Sequence, residues 1–438
     1  MRARLRWLGL GLMLLGVMLT GCGTSSTGAH ATATATATAV QPTATSTPTP
    51  STSNVYYATS DHVLTALNAA TGAVRWTFSR SADITDLTIL EGSLVYVTIL
   101  DGQAATPTLY ALNSKNGAVV WSAQGGGPPI LADNALYVYT GSTINCLDAT
   151  TGKQRWQHPF NGTLLTVASD TVFAATGTSR SGAGGESVID STTLTALNTT
   201  DGATRWSFTR AYEQFYSPET ANVVVYFMSR SGDNTGPPSG HIYALNVADG
   251  SQRWKVNVGQ QATANTFGFS NGVFLAGGST TGITGYRASD GAQLWTNTDP
   301  MFSYFTVVGN AAYVKSFNSV AVALDVTTGK ELWDASVLVT APATPPTFSN
   351  GVLYVSGGRG PGQIAAINGG TGAIKWVKQE PGTIGFPSVT IDTVYAYTMG
   401  SSPVVYAFNT ADGTLRWQHQ TGKNLVTGLT VTGEVGSD

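Results

Sequence analysis

One short phrase recurs nine times along this chain and limits what it can fold into. It first reads Ala66-Leu67-Asn68-Ala-Ala-Thr71-Gly72-Ala-Val74-Arg75-Trp76: a small residue, an apolar one, Asn or Asp, two free positions, Thr/Asp/Asn, Gly, three positions, Trp. After Trp76 the phrase closes at Trp121, Trp156, Trp206, Trp254, Trp295, Trp333, Trp376 and Trp417. Of the ten tryptophans only Trp7 lies outside it. Successive spacings of 45, 35, 50, 48, 41, 38, 43 and 41 residues average about 43, a period of blades or of solenoid repeats.

The phrase reads as a β-hairpin. Leu109-Tyr110-Ala111-Leu112-Asn113 is a β-prone run, and Asn116-Gly117 supplies the turn. Glycine takes the positive φ that closes a tight hairpin, and Asn or Asp at the loop start can bond back to the backbone. In the first copy a strict period of two puts Val74, Trp76 and Phe78 on one face, with Arg75 and Thr77 on the other. The residue before Trp is basic in six copies: Arg75, Arg155, Arg205, Arg253, Lys375 and Arg416. A large ring inward and a charge outward marks an outer, half-exposed strand. The sixth copy, Gly285-Tyr286-Arg287-Ala-Ser-Asp290-Gly291-Ala-Gln-Leu-Trp295, lacks the Asn/Asp, and its turn is expected to be less well fixed.

Upstream of the repeats the chain has a different character. Residues 1–21 read as a signal peptide: Arg2, Arg4 and Arg6 precede an apolar run from Trp7 to Leu19, short for a membrane span. The run ends in Leu19-Thr20-Gly21-Cys22, similar to a bacterial lipobox, so Cys22 is the expected lipidation site. Acyl chains would then provide the anchoring, at about 0.8 kcal/mol per buried methylene. Residues 22–53 are almost all Thr, Ala, Ser, Gly and Pro, too poor in apolar groups to offset ordering entropy, and read as a disordered tether.

Residues 54–438 read as a single all-β domain, with no helical period and charged residues at only 11% of the chain. Between Trp motifs the same items recur: a strand near Gly or Pro, a turn, a second strand, a variable loop, and then the motif hairpin. That makes four strands per repeat, A to D. Asn54-Val-Tyr-Tyr57 looks like a B strand with no A before it, and Leu425-Val-Thr-Gly-Leu-Thr-Val431 like an A strand left over. One blade built from both ends closes a ring and removes its open edges, whereas a solenoid needs polar caps. The expected fold is a closed β-propeller of four-stranded blades.

This repeat resembles that of the PQQ-like (quinoprotein) β-propeller family over essentially all of residues 54–438. The resemblance implies that each Trp docks one blade on the next, and that eight blades is usual; counting hairpins gives nine. The family includes quinoprotein dehydrogenases, which hold PQQ and calcium beside an adjacent Cys-Cys disulfide. It also includes cofactor-free scaffolds such as the BamB-like lipoproteins. Here Cys22 is assigned to lipid and Cys146 stands alone in a strand, where it reads as a small buried residue. No cofactor is expected, and PQQ with calcium enters only under the alternative of a quinone-dependent oxidoreductase.

Other chemical signals fail. Gly268-Phe-Ser270-Asn-Gly272 matches a nucleophile elbow, which needs a strand-to-helix turn, but here it falls in an A-to-B turn. Gly357-Gly-Arg-Gly-Pro-Gly362 has no helix to present amides to phosphate. Histidines at 30, 62, 158, 241 and 419 lack metal-ligand spacing, so no metal site is expected. With 22 basic against 25 acidic residues, no basic surface for nucleic acid is evident.

Propeller topology puts C-to-D turns on one face and B-to-C loops on the other, and all the long insertions are B-to-C loops. The two largest, 177–190 and 229–241, lie in adjacent repeats and make Arg180, Glu186, Asp190, Arg230, Asp233 and His241 a candidate binding face. The expectation is an extracytoplasmic, membrane-anchored lipoprotein of the cell envelope. Its propeller is a non-catalytic platform for protein or polymer partners, or else a binder of polysaccharide or another small ligand in its channel.

Overall fold

In each Trp motif two backbone hydrogen bonds close the hairpin. In the first copy Asn68 N donates to Ala73 O and Gly72 N to Asn68 O, both at 2.8 Å. The Asn68 side chain accepts from the amides of Ala70 (2.9 Å) and Thr71 (3.2 Å), satisfying donors the turn leaves free. Glycine is required at the last turn position, where φ is +67° to +75° in all nine copies. The sixth copy, without the Asn/Asp, makes the same bonds, Arg287 N to Ala292 O and Gly291 N to Arg287 O, both at 2.7 Å. An Arg287–Asp290 ion pair at 2.8 Å spans its turn, so this copy is as well closed as the others.

The computed structural model describes residues 53–431, apart from 81–82, 90–92, 101–105, 163, 169, 182–186, 232–239, 260–265, 279–281, 299–301, 317–320, 336–345, 359–360, 401 and 423–425. Cys22, the leader and the tether therefore lie outside the described residues, as do Glu186 and Asp233. There is no α-helix among the described residues. Nine antiparallel sheets follow one another along the chain, so counting repeats gave the right number and the family's usual eight is corrected to nine. We number the blades 1 to 9 by their tryptophans, from Trp76 to Trp417. Blade 9 has its A strand in two pieces, Thr383–Ile384 and Ser388–Val389, both paired with Thr393–Met399.

The ring closes as the termini predict. Asn54–Thr59 is strand B of blade 1, and Val426–Val431 pairs with it as strand A, from Val55 opposite Val431 to Thr59 opposite Val426. A hydrogen bond of 3.0 Å between Tyr57 Oη and His419 Nε2 also joins blade 1 to blade 9.

Each of the nine motif tryptophans makes the same two contacts across a blade boundary. Its indole Nε1 donates to a backbone carbonyl in the next C-to-D hairpin at 2.8–3.1 Å, from Trp76 to Ser114 O around to Trp417 to Ala69 O. Its ring lies against the turn glycine of that hairpin, so closely that an added methyl would sit no more than 2.8 Å from a ring atom. In eight blades a B-strand aromatic packs on the same indole at 5.6–6.1 Å between centroids, in tilted geometry. Truncating one such ring to alanine is worth about 3–5 kcal/mol.

The strict alternation expected of the D strand does not hold. In all nine blades the C–D register shifts between the small motif residue and the apolar one. Trp76 opposes Ala66 and Val74 opposes Leu67, so Arg75 is the bulged residue between them. Val74 therefore turns away from Trp76 and is 51% exposed, while Trp76 and Phe78 stay buried. The bulged basic residue reaches back to the turns: Arg155 to Asp148 at 2.8 Å, Arg205 to Asn198, and Arg416 to Asp392 at 2.8 Å.

Two glycines of equal φ separate backbone strain from ring contact. Gly202 has φ +71° and its added methyl would lie 2.5 Å from the Trp156 ring, whereas Gly272 has φ +72° and nothing within 4 Å. We expect Gly202→Ala to cost about 2–4 kcal/mol and Gly272→Ala about 1 kcal/mol, measured as shifts in the urea unfolding midpoint.

Candidate functional site

The two long insertions are not loops over most of their described length. Their described residues belong to strands B and C, because the Ser/Thr-rich flanks go on pairing; the added length is large in blade 4, where the strands have 11 and 12 residues, and slight in blade 5, where they have 8 and 7. In blade 4 the strands run Thr171–Ser181 and Ser187–Asn198, with Arg180 opposite Val188. In blade 5 they run Val224–Ser231 and Gly240–Asn246, with Arg230 opposite Gly240 and Ser229 opposite His241. Arg180 and Asp190 form an exposed ion pair at 3.0 Å, which contributes little to stability but holds two charges at the tip of blade 4.

The connection between the blades brings these groups together. Strand D of blade 4 ends at Ala211, strand A of blade 5 begins at Glu213, and Tyr212 alone links them at φ +56°. Tyr212 N donates to Asp190 O at 3.0 Å, so the Arg180–Asp190 pair is tied to the first residues of blade 5.

There the structure places a residue that sequence reasoning passed over. Glu213 is nearly enclosed, with its side chain 12% exposed, and is held by side chains from the other three strands of its blade. Ser229 Oγ and Tyr243 Oη donate to it, the latter at 2.9 Å to both carboxylate oxygens. Lys255 Nζ stands 3.2 Å from Oε1, and His241 Nδ1 3.4 Å from Oε2, at the outer limit of a hydrogen bond. Beneath it Phe208, Phe215, Phe227 and Tyr243 pack ring on ring, and the Arg210 guanidinium covers Phe208 at 3.9 Å. Burial alone would raise this carboxyl's pKa. Hydrogen bonding by His241, Ser229 and Tyr243 outweighs burial and holds it at about 2. The Tyr243 phenol is pushed up, by burial first and then by the carboxylate beside it.

Serine, histidine and glutamate in one cluster invite comparison with an acyl-transfer triad, and the geometry argues against it. Ser229 and His241 both address the carboxylate, so no base is placed on the hydroxyl, and Ser229 is fully buried. The elbow-like Gly268–Gly272 segment is a hairpin turn, with Asn271 and Gly272 at φ +49° and +72°, and Ser270 Oγ donates to Gly309 O at 2.5 Å.

Glu219, six residues along the same A strand, is the second unanticipated acid. It is exposed, yet protein crowds it closely enough that desolvation raises its carboxyl to about 7. The described residues include no adjacent cysteine pair of the kind that the quinoprotein dehydrogenases hold beside PQQ. Cys146, the one described cysteine, is fully buried opposite Trp156, its thiol pushed up to about 11 by burial. Among the described residues no three His, Cys, Asp or Glu side chains converge as a cation's ligands would.

The two acids set opposite pH trends. Glu213, lowered in the fold, stabilises above its unfolded value of 4.5, and this is lost as pH falls from 4.5 toward 2. Glu219, raised in the fold, stabilises below 4.5, and this is lost as pH climbs from 4.5 to about 7. Glu213→Gln should therefore cost about 3 kcal/mol at pH 7 and progressively less below pH 4, read as the gap between wild-type and variant unfolding curves.

Known proteins share this architecture. The profile of the family described as "Outer membrane protein assembly factor BamB" matches residues 28–129, 105–266, 238–337 and 316–435. The outer membrane protein assembly factor BamB of Yersinia pestis is 24% identical over 216 residues, covering 44% of this chain and 52% of that protein, so the chain spans about half its length. The protein of the same name from Escherichia coli (strain K12) is 22% identical over 332 residues, 63% of this chain and 84% of its own length. Among solved structures, apo AztD from Citrobacter koseri superposes with a TM-score of 0.50 at 10% identity, over 88% of this chain and 99% of its own, a likeness of fold alone. With nine Trp-Gly hairpins closed into one ring and a family match running through all of them, the chain belongs to the family described as outer membrane protein assembly factor BamB.

Proposed function

We propose that this protein is a non-catalytic binding platform of the cell envelope, lipid-anchored at Cys22, with the propeller of residues 54–438 held off the membrane by the tether of residues 22–53. The names of its relatives, outer membrane protein assembly factors, support an envelope setting and a protein partner. The observation that carries the reading is the paired extension of blades 4 and 5. A ring locked by nine equivalent dockings spends added strand length on one sector of one face, and that sector presents Arg180, Asp190 and Arg230, while His241 turns inward to Glu213. Glu213 fixes the base of the extension through four strands, so these charges are displayed on a rigid support rather than on free loops. Glu186 and Asp233 belong to the same proposed face.

Crosslinking and pull-down from membranes of the source organism tests both parts. Arg180→Ala/Asp190→Ala/Arg230→Ala should lose the partners captured by wild type while keeping its unfolding midpoint. Capture of the same partners by the triple variant overturns the assigned face. Cys22→Ser should move the protein from the membrane fraction to the soluble one, and retention on membranes overturns the anchor.

A further inference from the structure

Glu219 has a setting that the platform reading does not use. It lies on Glu213–Ala221, the strand of blade 5 that faces the central channel. The ladder is interrupted just before it: Tyr216 opposes Met228 and Glu219 opposes Tyr226, with Ser217 and Pro218 bulged between. Directly opposed residues share a face of the sheet, so Glu219 leaves the strand on the side that carries Tyr226. That side packs on blade 6, where Tyr226 stacks on Phe269 at 5.7 Å and on Phe274 at 5.5 Å, and Phe267 stacks on Phe274 at 5.6 Å. Phe267 and Phe269 lie on the A strand of blade 6, Thr266–Ser270, and are only half-buried.

No described residue gives Glu219 a hydrogen bond or an ion pair, and no neighbouring charge contributes to its ionisation, which desolvation alone shifts. Its neighbour along the strand, Glu213, has four side chains around it. A carboxylate in a crowded site favours a counter-charge that sheds its own water readily, and aromatic faces favour the same kind of ion.

We propose that the channel rim between blades 5 and 6 binds an organic cation, with Glu219 supplying the counter-charge and Phe267 and Phe269 the π surface. A quaternary or protonated amine fits this pairing better than a metal ion, because one carboxylate and two rings offer a single hard ligand. The site is independent of the partner face on the blade 4–5 extensions, so either assignment can fail alone.

The test uses purified full chain and tetramethylammonium as probe, titrated calorimetrically at pH 8, with calcium in parallel. Saturable binding in the millimolar range or tighter is expected. Glu219→Gln should weaken it at least tenfold and Phe267→Leu several-fold, with both variants keeping a cooperative unfolding transition and the midpoint of Glu219→Gln at pH 8 no lower than that of wild type. In wild-type protein labelled at glutamate, the Glu219 carboxyl carbon should be the glutamate signal that shifts on probe addition, a reading that needs no variant. Absence of saturation, equal binding by Glu219→Gln, a silent Glu219 signal, or calcium binding as tightly as the probe would each overturn the assignment.

Discussion

Everything in this molecule rests on the contact between an indole and a glycine in the neighbouring blade. A radial sheet has two broad faces and an open outer edge, and alone it cannot exclude water from either face. The indole covers one face, donates to the carbonyl at the end of the adjacent C strand, and wedges under a turn that only glycine can make. Because ring and glycine belong to the same motif, each blade is at once key to the next and lock to the one before. The arrangement has a direction and, repeated, can only spiral or close; Trp417 on Gly72 closes it.

Much of this was legible because the motif carries both halves of the contact. The Thr-Gly pair and the Trp reported the hairpin, the period reported the blades, and the orphan strands at the two ends reported closure. The family's habit of eight gave way to nine because each hairpin needs a sheet of its own. The position of Val74 was not legible: the bulge that turns it outward depends on register with the C strand, and a period-of-two reading assumes that register is unbroken. The bulge also explains the basic residue before so many tryptophans, which caps turns of its own blade rather than merely facing solvent.

The proposed partner face was legible only in outline. Unequal repeat lengths singled out one end of blades 4 and 5, but length alone did not distinguish slack loop from paired strand. Glu213 and Glu219 were invisible for a different reason. An acid in a strand means little until its surroundings are known, and these two, six residues apart, meet opposite ones. One is held by protein donors and stays ionised far into acid; the other, exposed but crowded, is disfavoured as an anion with no described donor to offset it. Neither a motif nor a spacing records that difference, because it arises from partners 16 to 42 residues away.

The seam in blade 1 has a temporal meaning as well. Strand B near the start of the ring waits for Val426–Val431, and Trp417 for the turn at Gly72, so neither is satisfied until nearly the whole domain has been made. A chain emerging from a ribosome would hold its first sheet incomplete, with a bare inner edge, through eight further blades. Such a ring cannot be completed before its last strand has been made.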